Sequence, residues 1–364
     1  MKKKQVLVLF GGPSSEHEVS LMSATSVMKQ IDKKKYEVIP VGITTEGKFQ
    51  LYEAYWQIQN NQWEGFEEAR FQYRKERKDI FLIPGCSALL LKENESFCKK
   101  AVDVALPILH GPYGEDGTLQ GLLQACHIPY VGAGVMTSAL AMDKAMVKKI
   151  FENEGIDQAA YHVVNIREWE GKSRDVIEKE LIGCLEEKLG YPMFVKPSRL
   201  GSSVGISKAS DMNELKKAIW QAAAHDCKVV VEAFIDGREI ECAVLGHYQH
   251  SRVAEPSEII PSREFYDYED KYMAGKSVYQ IPANLSQEMK DKVKQLSVQV
   301  YRLLECKGLA RIDFFLERKT GNLLLNEINT MPGFTKISMY PKMWEASGVT
   351  YQELISFLVE EAIE

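Results

Sequence analysis

The chain has 364 residues, 45% hydrophobic and 26% charged, a soluble globular composition with room for two or three packed units. A formal net charge of -6 removes the electrostatic case for nucleic acid or an anionic membrane as partner, so any anionic ligand has to be held by local positive charge. The cysteines, 7 in all, are scattered and lack short paired spacings, which indicates neither a disulfide framework nor a zinc site and suits a reducing compartment.

Lys2, Lys3 and Lys4 give a basic start, but the apolar run after them is too short for a signal-peptide core. No run elsewhere is long enough to span a bilayer, so a cytoplasmic protein is expected, with chance sequons at Asn94 and Asn284. Residues 5–10 read as a buried strand ending at Gly11 and Gly12, and a helical pattern follows with Val19, Met22, Val27, Met28 and Ile31 apolar. Strands are predicted at 36–43 and 102–109, a helix at 115–125 and a short fourth strand at 129–132. Such alternation argues for a parallel sheet with covered faces. Ligands of such sheets sit beyond the strands' C-terminal ends, where Gly11-Gly12 and His110-Gly111 fall. Residues 51–100, rich in Tyr, Trp, Gln and Glu, read as an insertion that decorates the surface or meets another subunit. The predicted units are 1–135, 136–230 and 231–364. The second contains a helix at 212–224 and a strand at 229–232, and the third closes with a helix at 351–361.

Two segments near the C-terminus carry the most chemistry. Residues 310–315 and 325–333 read as strands joined by a polar, Gly-containing turn at 317–322. Alternation puts Arg311, Asp313 and Phe315 on one face, and Glu327 and Asn329 on one face of the partner. If the strands pair, two carboxylates, an amide and a guanidinium converge. Oxygen donors of this kind hold hard cations such as Mg²⁺ and leave positions for phosphate oxygens. A solvated cross-strand charge pair would use the same residues.

Other candidates lie beside strands or glycine turns. Lys144 opens a helix after Met142 and Asp143, and Lys196 ends the apolar run 193–195, where a buried charge requires a partner. The loop 201–205 is built of small residues whose amides can approach phosphate, although a tight hairpin needs glycine equally. It is not a P-loop, and no Gly-x-Gly-x-x-Gly dinucleotide fingerprint occurs. The strand ending at Glu232 runs into Ala233, Phe234 and Ile235, with Glu239 beyond, which suits an adenine edge and a ribose hydroxyl. Of the two acids before the first helix, Glu18 can complement the helix dipole, whereas Glu16, just after two serines, can hold an ammonium group. The aromatic and acidic tract 264–272 is a candidate lid delivering Lys271.

In combination these blocks resemble the D-alanine–D-alanine ligases of the ATP-grasp superfamily, essentially from end to end. The matching blocks are Gly11-Gly12-x-Ser14-x-Glu16-x-Glu18-Val19-Ser20; Leu109-His110-Gly111-x-x-Gly114-Glu115-Asp116-Gly117; Met142-Asp143-Lys144; Lys196-Pro197-x-x-x-Gly201-Ser202-Ser203-x-Gly205; Phe265-Tyr266-Asp267-Tyr268-x-x-Lys271-Tyr272; Arg311-x-Asp313; and Glu327-x-Asn329-Thr330-x-Pro332-Gly333. The resemblance implies a mixed α/β, α+β chain with the ATP-grasp fold: an N-terminal parallel α/β substrate domain followed by two α+β subdomains that sandwich ATP. It also implies two Mg²⁺ (or Mn²⁺) ions on Asp313, Glu327 and Asn329. Lys144, Lys196, Ser203 and lid residue Lys271 would meet the nucleotide phosphates. Glu232, Ala233, Phe234 and Ile235 would hold adenine and Glu239 the ribose. Glu16, near His110, would bind the first D-alanine ammonium, with Ser202 and Tyr272 joined to it. Arg311 and the Gly333 amide would form the oxyanion site, while Ser338 and the Met339 amide would take the second carboxylate. A homodimer is implied as well.

The chemistry implied is ligation of D-alanine to D-alanine through an acyl phosphate, for peptidoglycan precursors. A D-serine or D-lactate ligase of the vancomycin-resistance type is the alternative, although the lid pattern and Ser338-Met339-Tyr340-Pro341 resemble the D-alanine enzymes. A nucleotide-binding module without activity would be expected to lose its metal ligands. An ATP-grasp ligase for other substrates would not need the Glu16 and His110 blocks.

Overall fold

The structure, a computed structural model, describes residues 2–51, 78–93, 96–169, 171–201, 205–260, 278–335 and 337–364. Its first sheet contains β1 (Lys4–Gly11), β2 (Tyr36–Ile43), β3 (Phe49–Leu51), β4 (Lys78–Leu82), β5 (Ala88–Glu93), β6 (Ser96–Ala101) and β7 (Val104–Ile108), with helix α1 (His17–Gln30) after β1 and α2 (Thr118–Ala125) after β7. The strand order is β6-β5-β4-β3-β2-β1-β7. β1 runs parallel to β2 and β7, and its apolar residues are buried from Val6 onward, as a parallel strand covered on both faces requires.

Four sequence expectations change here. The parallel part is confined to β2, β1 and β7; the other pairs in this sheet are antiparallel. The described part of 51–100 continues that sheet instead of decorating it, because Ile80, Leu89 and Leu91 carry apolar surface into the core. The helix expected from 115 begins at Thr118, since left-handed backbone at Tyr113 and Gly117 precedes it, and the strand expected at 129–132 is a single bridge from Tyr130 to Ala105.

Helices α3 (Val135–Met142) and α4 (Lys144–Asn153) lead to a second sheet. It comprises β8 (Tyr161–Asn165), β9 (Met193–Pro197), β10 (Ser207–Ala209) and β11 (Lys228–Ala233), all antiparallel in the order β10-β9-β11-β8. Helices α5 (Arg174–Leu189) and α6 (Met212–Ala223) cover it. Asp211 caps α6 by accepting the Asn213 and Glu214 amides at 2.8 and 2.9 Å.

The third sheet holds β12 (Gly237–Leu245), β13 (Arg252–Val253), β14 (Ser257–Ile260), β15 (Val278–Gln280), β16 (Leu309–Glu317) and β17 (Leu323–Asn329), with α7 (Gln287–Leu303) on one face. Its central strands show the period of two. Ile240, Cys242 and Val244 of β12 and Ala310, Ile312, Phe314 and Leu316 of β16 enter the core, sending the alternate residues to the opposite face. Phe151 of α4 and Val147 join this core, so the helices following the first sheet pack on the last one.

Helices α8 (Met339–Ala346) and α9 (Tyr351–Glu361) return to the first sheet. Trp344, Leu354 and Leu358 share one cluster with Val8, Val27 and Met28, which binds the C-terminus to the N-terminal sheet. A capping box between Thr350 and Glu353 starts α9. The two ends of the chain are therefore one core. Leu358 is 1% exposed, so Leu358→Ala should cost about 2–5 kcal/mol in denaturant unfolding. A cost below about 1 kcal/mol would mean that α9 does not belong to that core.

Candidate functional site

Pairing of β16 with β17 supplies the floor of the site. Arg311 lies opposite Asn329 and Asp313 opposite Glu327, in antiparallel register. Beyond Asp313 the register shifts by one, leaving Asn326 as the extra residue of a bulge. The bulge explains a burial pattern that strict alternation cannot: Leu323, Leu325 and Ile328 are buried, while Glu327 and Asn329 face the other way. On the neighbouring strand, Glu241 lies opposite Asp313 and Glu239 opposite Phe315. One face thus carries Glu239, Glu241, Arg311, Asp313, Glu327 and Asn329.

These charges are matched. The Arg311 guanidinium donates from Nε and Nη2 to both Asp313 oxygens at 2.7 Å, with Glu241 Oε1 3.2 Å from Nε. Burial opposes the Arg311 charge, but the Asp313 and Glu241 carboxylates outweigh it and hold the guanidinium protonated. Asn329 Nδ2 donates to Asp313 at 2.9 Å. The donor set Asp313, Glu327 and Asn329 consists of hard oxygens and fits Mg²⁺ or Mn²⁺, which keep open coordination positions. Among the described residues no group of three or more His, Cys, Asp or Glu side chains is placed to hold a metal.

Above the floor lies the lysine cluster. Lys196 is the penultimate residue of β9, and its ammonium is 2.5 Å from Glu232 Oε2; Lys148 Nζ is 2.8 Å from Oε1 of the same carboxylate. Burial would raise the Glu232 pKa, but the two ammonium groups pull it from 4.5 to about 2. Lys144 Nζ donates to the Leu200 carbonyl at 2.7 Å. Glu232 is therefore a charged wedge between lysines at the end of β11.

A further group of residues comes from the loops beyond the C-terminal ends of β1 and β7. His110 Nδ1 lies 3.0 Å from the Met331 carbonyl and Nε2 2.9 Å from Ser23 Oγ, which in turn accepts the Phe334 amide at 3.3 Å. Glu115 Oε1 accepts the Gly111 amide at 3.1 Å and sits 3.8 Å from His110. Burial lowers the imidazole's proton affinity, yet Glu115 more than reverses this and leaves the His110 pKa raised. Gly111 has φ of +73°, and a Cβ there would run into the Glu16 carboxylate, so only glycine lets these loops meet. At Gly333 a Cβ would come within 2.8 Å of Ser338 Oγ. Ser338 Oγ accepts the Thr335 amide at 3.0 Å, and Met339 is buried at the start of α8.

One cleft is lined by Glu16, His110, Lys144, Lys196, Glu232, Arg311, Glu327, Asn329, Gly333, Ser338 and Met339. Asp313 lies in the floor behind Arg311. Ala233 and Phe234 stand at the end of β11 with their amides donated to the Ala160 and Pro192 carbonyls at 2.9 and 3.0 Å, so a base held there would use the remaining backbone groups. Ser202, Ser203, Lys271 and Tyr272, with the candidate lid, lie outside the described residues. The sequence reading gave no role to Lys148, Glu115 or Glu241, which also line the cleft. Each stood within reach of a signal: Lys148 is four residues after Lys144 on a helix, Glu241 two after Glu239 on a strand, and Glu115 belongs to the His110 block.

Family models described as D-ala D-ala ligase N-terminus and D-ala D-ala ligase C-terminus match residues 5–133 and 150–360. A D-alanine--D-alanine ligase of Clostridium novyi (strain NT) is 47% identical over 363 residues, with 100% of this chain and 98% of that relative covered. Among solved structures, the VanG D-Ala:D-Ser ligase from Enterococcus faecalis aligns with a TM-score of 0.84 at 35% identity, covering 99% of this chain and 100% of that one. The D-alanine-D-alanine ligase from Coxiella burnetii aligns with a TM-score of 0.83 at 32% identity, covering 100% and 94%.

The Glu232 wedge can be tested directly. Glu232→Gln leaves two buried ammonium groups without their counter-charge and should lower unfolding free energy by about 3–5 kcal/mol. A carboxylate whose pKa is depressed on folding stabilises above its ordinary pKa and loses that effect as pH falls toward the folded value. The gap between wild type and variant should therefore be constant at neutral pH and narrow between 4.5 and about 2. A gap that stays constant through that window would contradict the ion-pair assignment.

Proposed function

The chain belongs to the D-alanine–D-alanine ligase family, and from that premise we propose that it joins two D-alanine molecules into D-alanyl-D-alanine at the expense of ATP, forming ADP and phosphate. The product serves peptidoglycan precursor synthesis. One observation carries this reading: the carboxylate of Glu16, the lysines Lys144, Lys148 and Lys196, and the floor residues Arg311, Glu327 and Asn329 share a single cleft. The fold is ATP-grasp, as in the solved relatives.

A carboxylate is a poor electrophile for an amine, so the first D-alanine carboxylate attacks the γ-phosphoryl group, ADP leaves, and D-alanyl phosphate forms. Glu16 binds the ammonium of that first substrate, with His110 beside it held in orientation by Met331, Ser23 and Glu115. Lys144 and Lys196 take the α- and β-phosphates, Ser203 assists, and Lys271 approaches the γ-phosphate. Glu232 and residues 233–235 hold adenine, and Glu239 the ribose. Asp313, Glu327 and Asn329 would hold two Mg²⁺ or Mn²⁺ ions. When bound, such ions neutralise charge on phosphate oxygens during transfer.

The amine of the second D-alanine then attacks the acyl carbon, and inorganic phosphate leaves. Negative charge developing on the carbonyl oxygen falls between Arg311 and the Gly333 amide. Ser338 and the Met339 amide receive the second carboxylate. The family resemblance gives Ser202 and Tyr272, both outside the described residues, a role in which they would join Glu16 and tie the lid to the floor. Because water would hydrolyse the acyl phosphate, the lid role that the resemblance gives to residues 264–272 would serve to exclude it. A cytoplasmic homodimer completes the reading and rests on family resemblance.

Substrate choice is decided by measuring phosphate release with D-alanine alone, then with D-serine or D-lactate added across a pH range. Release with D-alanine alone and recovery of D-alanyl-D-alanine are expected. Release that requires D-serine or D-lactate would move the chain to the resistance-type ligases, which the 35%-identical D-Ala:D-Ser relative makes the relevant comparison. The metal assignment has its own test. Glu327→Gln should raise the Mg²⁺ concentration for half-maximal rate by at least about tenfold. An unchanged Mg²⁺ dependence would remove Glu327 from the ligand set.

A further inference from the structure

Helix α4 begins at Lys144, and the residue before it is held by more than a helix cap. The Asp143 carboxylate accepts the Met146 amide at 3.2 Å, as an N-cap does. Its Oδ1 also accepts Ser198 Oγ at 2.7 Å, and its Oδ2 accepts Lys228 Nζ at 2.6 Å. Ser198, fully buried, follows Lys196 by two residues. Its hydroxyl accepts the Ala145 amide at 3.0 Å and its carbonyl accepts the Lys144 amide at 2.9 Å. Its own amide donates to the Lys228 carbonyl at 2.9 Å. Asp143, Ser198 and Lys228 all lie outside the cleft lining.

A lysine is a point charge on a flexible stem, so a site that needs it at a defined place has to fix the backbone that carries it. Here the start of α4, the end of β9 and the start of β11 meet at one buried residue, Ser198, whose hydroxyl and carbonyl hold α4 and whose amide holds β11, within a few residues of two cleft ammonium groups. Lys144 is held at both ends, by Ser198 at its amide and by Leu200 at its ammonium. Burial disfavours the Asp143 charge, but Lys228 and Ser198 keep that carboxyl below its ordinary range. Arg199, next in sequence, pins the same loop from outside by donating its amide and guanidinium to Asp226.

We propose that Asp143, Ser198 and Lys228 form a positioning clamp that sets Lys144 relative to Lys196, so that the spacing of the nucleotide-phosphate contacts is decided by residues that do not touch the nucleotide. The inference rests on the reading that Lys144 and Lys196 meet the phosphates. Removing the Lys228 charge frees the Asp143 carboxylate to turn to water, loosens the Ser198 hydroxyl, and lets the α4 start drift from β9. The cost then appears in nucleotide binding and not in D-alanine binding.

The test measures ADP affinity by calorimetry, separate KM values for ATP and D-alanine, and thermal midpoints. The proteins are wild type, Lys228→Met, Lys228→Arg, Ser198→Ala, Lys144→Ala and the Lys144→Ala/Lys228→Met double variant. Lys228→Met and Ser198→Ala should each weaken ADP binding about tenfold and raise the KM for ATP in step, with the KM for D-alanine unchanged. Lys228→Arg should restore most of the loss, and Lys228→Met should add little to Lys144→Ala, because the clamp acts through Lys144. Should Lys228→Met not fold, Ser198→Ala carries the same readout. ADP affinity within about twofold of wild type in both clamp variants, with Lys144→Ala weakened, would overturn the clamp alone. Additive losses in the double variant, or equal rises in both KM values, would reduce the network to general structure and overturn it too. Undiminished ADP affinity in Lys144→Ala would overturn the phosphate assignment itself and the clamp with it.

Discussion

The antiparallel pairing of β16 and β17 is the constraint on which the rest depends. Side chains alternate across a strand, so a slip of one residue would send Asp313 or Glu327 into the core and bring a leucine into the cleft. The register is held on two sides. Ile312, Phe314, Leu325 and Ile328 secure the buried face, and Asn329 to Asp313 and Arg311 to Asp313 secure the polar one. The bulge at Asn326 reconciles the two patterns, because it moves Leu325 back to the core face without disturbing Glu327. A defect in the ladder is what allows one strand to be both core and site.

A second feature follows from placing so many charges in a half-buried cleft. Several of these charges, and one just outside the lining, meet their opposites: Glu232 between Lys148 and Lys196, Arg311 between Asp313 and Glu241, Asp143 beside Lys228. An isolated buried charge would cost several kcal/mol, so the site stands assembled only because it neutralises itself. Under the proposed function, a nucleotide would not enter an empty positive pocket but would exchange partners with carboxylates already in place, which hold the lysines in position before it arrives.

The site also belongs to no single sheet. Glu16 and His110 come from the ends of β1 and β7, Lys196 and Glu232 from the second sheet, and Arg311 and Glu327 from the third. Two shared cores hold these parts together: Trp344 and Leu358 against Val8 and Val27, and Phe151 against Phe314. The hydrogen bond between His110 and the Met331 carbonyl crosses the same junction. Packing far from the cleft thereby sets the distances inside it.

By itself the sequence determined the elements that depend on neighbours along the chain. The continuous apolar run of β1, the strand at β2, the alternating runs of β16 and β17, the turn at 317–322, and the glycine loops at 11–12 and 111 could be read because hydrophobic pattern and backbone freedom are local properties. The motif blocks also made the family and the residues around the cleft legible. Only the tertiary structure decided which charges meet. Lys148 shares a carboxylate with Lys196, Glu241 flanks Arg311, and Asp143 reaches Ser198 and Lys228, because those contacts link strands and helices far apart in sequence. It likewise decided that the strands following β2 continue the first sheet in antiparallel fashion, and that β17 carries a bulge. Ion pairing and sheet order are set by burial and long-range register, and no window of adjacent residues contains that information.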